Sequence, residues 1–476
     1  MRFGPIAVAL VALLNAGVGN SQDRTWTNSA GKQLTASLRH ADESTAVLRL
    51  QNGANAPIPL ASLSEADREF VKQALENRAV LPSFPPAVQA EGGASNFAVQ
   101  AVSEPGAEFQ RQLERTLAAV RALPLGLNPR PGPDREKFPV QVVDAAGYRA
   151  MMQANGVDPN LKPTAAFLRE KLTLYVDHSV FREGTEPAKE AELQQEIAAL
   201  TLLRWKMVLP EWFADGLAAA VASLPASGDV VQFSDPKTGL QQFLQTRYGL
   251  KIQSEPVPMR HPSDLFGASE PLWSFSAYDR ASALMWAYFF LHLDDAGTPP
   301  GVPLARYLHS LEKTRSETED FLRDYKAANA DFEKKRQAFN AKIAQYNEEL
   351  AVFRKNLEAH NQNVTLYNEQ LKKGVPPEKR VKVGEAPKPP EKPEMLVRPK
   401  FLEQNEDQAT SGPIDVVAVA LKEATPLLLG GRDADTLAKQ AVEAFAEIGI
   451  RVDLMKPGEQ RGSYYRLGEQ LQDALQ

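Results

Sequence analysis

The chain of 476 residues contains no cysteine. That absence excludes disulfides, thiolate metal sites, lipidation at a cysteine and cysteine nucleophiles together, so packing alone must stabilise the fold. Histidine is scarce: the six are His40, His178, His261, His292, His309 and His360, and no two stand at the i, i+4 spacing that grips a metal from one helix face. Asp177-His178 and His292-Leu293-Asp294-Asp295 are the acid–histidine neighbours, and they read as core or surface positions. Neither a Gly-x-Ser-x-Gly elbow nor a phosphate loop occurs. Basic residues are outnumbered, 54 against 60, for a net charge of −6. With no global basic field, nucleic acid is set aside as a partner. Beyond the N-terminus no stretch approaches the ~20 consecutive apolar residues of a membrane span.

What is present begins with Met1-Arg2-Phe3, the apolar run Ile6 to Leu14 and the small residues Ala16-Gly17-Val18-Gly19. Charge, apolar core and small-residue exit are those of a secretory signal peptide. Cleavage near residues 19–22 makes the mature protein secreted or periplasmic, without a transmembrane segment; an uncleaved anchor is the alternative. The length calls for more than one domain. The expected order is signal peptide 1–21, a small β-barrel 22–78, a linker 79–95, an α+β domain 96–310, a long helix 311–372, a proline-rich segment 373–412, return helices 413–457 completing the α+β domain, and a tail 458–476.

In the first domain Arg24-Thr25-Trp26, Gly31-Lys32, the alternating Leu34, Ala36 and Leu38, Ala46 to Leu50, and Ile58-Pro59-Leu60 read as short antiparallel strands. Ser64 with Asp67 three residues later predicts a capped helix. This series resembles the SLA1 homology domain 1 (SHD1), an SH3-like family whose eukaryotic members bind short peptides. The resemblance implies a peptide ligand, with Trp26, Lys32, Pro59 and Leu60 as candidate contacts; Trp26 and Leu60 as core residues only is the other reading.

The linker is marked by Pro82, Pro85, Pro86 and Gly92-Gly93. A strand at 97–102, a helix over 105–123 with Phe109, Leu113, Leu117 and Val120 on one face, and strands near 138–143 and 172–176 follow. Next comes Gln194-Gln195-Glu196-Ile197-Ala198-Ala199, then Pro210-Glu211-Trp212-Phe213-Ala214-Asp215-Gly216-Leu217-Ala218. The pair of phrases resembles the active site of the gluzincin zinc peptidases, His-Glu-x-x-His followed by a Pro-x-Trp-x-x-Glu-Gly-Leu-Ala phrase. The resemblance extends over about 95–310, and it implies a two-helix site with Glu196 in the place of the catalytic base. Gln195 and Ala199 stand at the histidine positions and Asp215 at the third ligand. Alanine has no lone pair, an amide is a poor zinc donor, and Asp215 is one methylene short of glutamate. Neither a metal nor a cofactor is expected.

From Leu322 two seven-residue repeats interleave: Tyr325, Phe332, Phe339, Tyr346, Phe353 and Tyr367, with His360 interrupting, and Ile343, Leu350, Leu357, Val364 and Leu371. They form one seam on a helix about 90 Å long. Two coverings are open: a second copy, giving self-association through 311–372, or the chain's own segment containing Pro376, Pro377, Pro387, Pro389, Pro390, Pro393 and Pro399, which in polyproline conformation has the length to run back along the helix.

The sequence therefore predicts a multidomain α+β protein, an SH3-like barrel followed by a gluzincin-like domain interrupted by a heptad-patterned arm. The expected function is that of an exported, non-catalytic adaptor or scaffold binding a protein or peptide. Its alternatives are an active hydrolase with a non-standard site and a structural envelope component built around the arm.

Overall fold

The computed structural model describes residues 23–459 apart from 53, 91–93, 132–134, 156–162, 169–170, 183–184, 207, 267–275, 296–297 and 411–415. The expected signal peptide and nearly all of the tail lie outside the described residues. The fold is mixed α+β, in two compact units: Met1–Arg315 with Val417–Gln476, and Ser316–Val416. Among the described residues no helix is long and apolar enough to cross a membrane.

The first unit opens with β1 (Arg24–Thr27), β2 (Gln33–Ala41), β3 (Thr45–Leu50) and β4 (Asn55–Pro59), an antiparallel meander in chain order. Period-two alternation sends Ala36, Leu38, Ala46 and Leu48 inward. α1 (Glu65–Glu76) starts where the Ser64 hydroxyl accepts the Asp67 N–H, and it buries Val71 and Ala74 against the sheet. Asp67 ties helix to strand: its carboxylate accepts from Thr27 N–H at 2.7 Å, from the Ser64 hydroxyl at 2.9 Å and from Arg24 at 2.6 Å.

β5 (Ala87–Gln89), β6 (Phe97–Ala101), α2 (Ala107–Ala122), β7 (Phe138–Val143), α3 (Ala145–Ala154), β8 (Ala165–Leu168) and β9 (Thr173–Asp177) follow. The sheet order is β6-β7-β9-β8; the first three strands run parallel and β8 is an antiparallel edge. α2 makes the crossover that parallel β6 and β7 require, with Phe109, Leu113, Leu117 and Val120 buried. α4 (Pro187–Thr201) is buried over its second half although it carries Gln195 and Glu196 there, whereas α5 (Glu211–Ala222) is apolar almost all round, as a helix enclosed by other elements is. Then come β10 (Ala226–Ser227), β11 (Val230–Gln232), α6 (Pro236–Tyr248), β12 (Val257–Met259) and α7 (Ala277–Tyr288). β5 pairs with β11, and Ala79, Val80 and Leu81 are buried, so the segment expected as a linker is partly built into the fold. Its pairing partner lies some 140 residues downstream, beyond the reach of local pattern.

α8 runs unbroken from Val302 to Lys372. The long helix expected over 311–372 thus begins nine residues earlier, and neither proline nor glycine interrupts the chain from Leu304 to Lys372. After the second unit, α10 (Val416–Leu429), α11 (Ala434–Glu447) and β13 (Val452–Leu454) complete the first: β13 pairs in parallel with β12, and Phe445 stacks on Tyr288. Between α10 and α11 Gly430 and Gly431 take positive φ, 61° and 78°. That turn aims Arg432 at Asp294, where a bidentate pair closes at 2.7 and 2.8 Å.

In the second unit α8 ends at Gly374, φ +70°, with Val375 N–H returning to the Gln370 carbonyl. The chain then runs extended to α9 (Lys400–Thr410). Val381 N–H donates to Gln370 Oε1 at 2.8 Å, and the Arg380 guanidinium lies over the Tyr367 ring. At the other end Phe401 packs its ring against Phe321 and Tyr325, each 6.2 Å away.

Candidate functional site

Close packing of α5 on α7 creates the site. A Cβ on Gly216 would stand 2.3 Å from the Ala283 carbonyl oxygen, so glycine here lets the two backbones touch. Arg280, one turn before Ala283, is thereby brought beside Asp215. Its Nε lies 3.8 Å from Asp215 Oδ2 and its Nη1 3.9 Å from Glu196 Oε1, an ion-paired guanidinium between two carboxylates. Asp215 Oδ1 accepts from Gln195 Nε2 at 3.2 Å, and Gln195 Oε1 accepts from the Tyr248 hydroxyl at 3.3 Å. Asp215 Oδ2 is buried without a hydrogen bond, so the charge of Arg280 is what balances it.

Asp215 holds the Arg280 guanidinium charged against the effect of burial, and Glu196 adds to it. Burial, then the Asp215 charge, push the Tyr248 phenol up, which keeps it a donor to Gln195. Glu196 is committed elsewhere as well: its Oε2 accepts the Phe167 N–H of edge strand β8 at 2.8 Å. One turn earlier, Glu192 accepts from Thr164 N–H and hydroxyl and pairs with Arg247 at 2.9 Å. Together these bonds fasten α4 to the sheet edge and to α6.

Gln195, Glu196 and Asp215 therefore lie together around Arg280, and Ala199, one turn after Gln195 on α4, is buried. The donor set does not fit zinc. Ala199 offers a methyl, the Gln195 amide is spent between Asp215 and Tyr248, and both carboxylates face a fixed cation. Sequence reasoning missed Arg280 and Tyr248. For Arg280 a signal existed: a charged pair, Asp279-Arg280, stands directly before the uncharged run 281–291. Asp279 forms a buried pair with Arg260, while Arg280 turns to the site.

The four SHD1-derived candidates separate. Trp26 is a core residue at 1% exposure, its indole N–H donating to the Ala36 carbonyl at 2.9 Å and its ring edge-on to Phe70. Strand and helix enclose it, the arrangement of the other reading given for it, a core residue. Lys32 and Pro59 are exposed and Leu60 half-buried. Ser29 N–H bonds the Ser62 carbonyl, setting the turn that carries Lys32 next to the segment that follows Leu60.

On the second unit Tyr325 is buried, and Phe332, Phe339, Tyr346, Phe353 and Tyr367 are half-buried along one stripe of α8. Away from these places, Ser103 Oγ and His178 Nε2 meet at 2.5 Å beyond the carboxyl ends of β6 and β9. No protein-family model, no curated protein and no solved structure matches the chain.

Proposed function

We propose that the chain is an exported, non-catalytic protein-binding scaffold, combining an SHD1-like peptide-binding domain with a domain of gluzincin descent. The observation that carries this reading is Arg280, an organic cation placed between the carboxylates at the positions of the base and the third ligand. Glu196 accepts the Phe167 N–H and so anchors the edge strand. Descent is supported by three parallel strands with an antiparallel edge strand, followed by two packed helices. An SH3-like reading of the first domain is supported by the meander and the Ser64-capped helix. Its ligand surface is then built on Lys32, Pro59 and Leu60.

Metal analysis and capture from envelope extract test the reading on the full chain. Zinc well below one equivalent is expected, together with a captured polypeptide that is lost on Lys32→Glu or Leu60→Asp. Stoichiometric zinc that disappears on Asp215→Ala, with peptide hydrolysis, overturns it. The Ser103–His178 pair favours the alternative hydrolase, since a serine hydroxyl on a histidine nitrogen is the start of nucleophilic activation. Labelling of Ser103 by a fluorophosphonate, abolished by His178→Gln, is the result that would establish that alternative.

A further inference from the structure

The seam of α8 and the extended return have periods that mesh. A heptad advances about 10.5 Å along an α-helix. A polyproline turn of three residues covers about 9.3 Å, and a fully extended chain reaches 3.3–3.6 Å per residue. One triplet of a stretched polyproline strand therefore spans one heptad. The forty-two residues from Tyr325 to Tyr367 are six heptads, and the eighteen from Val381 to Pro399 are six triplets.

Both ends are held within two or three residues of that register. Val381 and Arg380 lie at Gln370 and Tyr367, and Phe401 lies at Tyr325. Between them the return is half-buried at Pro387, Pro390, Pro393 and Leu396, every third residue, with exposed residues on either side. The facing seam is half-buried at seven-residue intervals with exposed flanks. Counted one triplet per heptad, His360, which breaks the aromatic series, pairs with Gly384, the triplet position without a side chain.

We propose that the aromatic seam is a binding groove for a proline-rich strand, read one triplet per heptad, and that its occupant is the chain's own return. Pro387 sits at Phe353, Pro390 at Tyr346 and Pro393 at Phe339. Proline rings on aromatic faces need no donor from the strand, which suits a segment whose backbone makes few hydrogen bonds. The arm is thereby closed within one chain, and the seam is unavailable to a second copy.

The absence of native cysteine makes paired substitutions in the full chain a clean test. The in-register pairs Phe339→Cys with Pro393→Cys, and Phe353→Cys with Pro387→Cys, should oxidise to an intrachain disulfide at least tenfold faster than Phe339→Cys with Pro390→Cys. In the last pair one triplet of offset, about 9 Å, exceeds the Cα separation a disulfide accepts. Two pairs guard against local damage by either one. Equal rates for the offset pair, failure of both in-register pairs, or disulfides between chains, with a dimer by light scattering, would overturn the proposal.

Discussion

Replacing Arg280 by alanine leaves Asp215 Oδ2, already without a hydrogen bond, buried beside Glu196 with no cation between them. Removing one member of such a group costs about 3 kcal/mol, and urea denaturation should show it. Adding Asp215→Asn to Arg280→Ala should restore part of the loss; an additive double variant would mean that the two side chains are not coupled. His292 provides the second test. Its ring is packed between Phe84, 5.1 Å away, and Tyr288, 4.7 Å away, and burial lowers its pKa from 6.5 to about 4. The unfolded state then binds the extra proton first, so stability is complete above pH 6.5 and falls as the pH drops from 6.5 towards 4, by roughly 3 kcal/mol in all. His292→Gln should flatten that stretch of the stability–pH curve. At this scale the sequence was legible where a group acts on its neighbours: the Ser64 cap is read three residues from its partner. Arg280 and Trp26 were not, because what decides their roles is a partner on another element.

Among elements, the contact of α5 with α7 is the one with least tolerance. Gly216→Ala should cost about 3 kcal/mol, since the new methyl meets a backbone oxygen that cannot move without carrying α7 with it. Because α7 also carries Arg280, the same variant should weaken the Arg280–Asp215 coupling measured by the double-mutant comparison. Glycine in the Asp215-Gly216-Leu217-Ala218 phrase thus has a packing reason that needs no catalysis. Long amphipathic or apolar helices were readable from periodicity: α2 shows the four buried positions expected of it, and the arm shows its seam. Short strands were not. β5, β8 and β12 have three or four residues each, fewer than a period needs to declare itself, and their existence depends on partners elsewhere in the chain.

For the molecule as a whole, the Arg432–Asp294 pair joins the returning helices to the segment after α7, with side-chain exposures of 10% and 1%. Arg432→Ala should destabilise by about 3 kcal/mol and expose α10 and α11 to limited proteolysis before the rest of the first unit; cleavage spread evenly over that unit would refute a local latch. Asp294 had been visible only as a neighbour of His292, since its partner follows 138 residues later. The arm accounts for most of that distance. It leaves the first unit after Arg315, and the chain rejoins that unit at Val417, so β12 finds β13 only after about a hundred residues of arm have been made. An unstructured loop of that length would add about 4 kcal/mol to the entropy of closure. A helix and a strand that zip together from the turn at Gly374 bring the loop's two ends towards each other first. The arm then serves as a folding aid, and nicking the chain at its tip should leave refolding slower than that of the intact chain even where the native state survives.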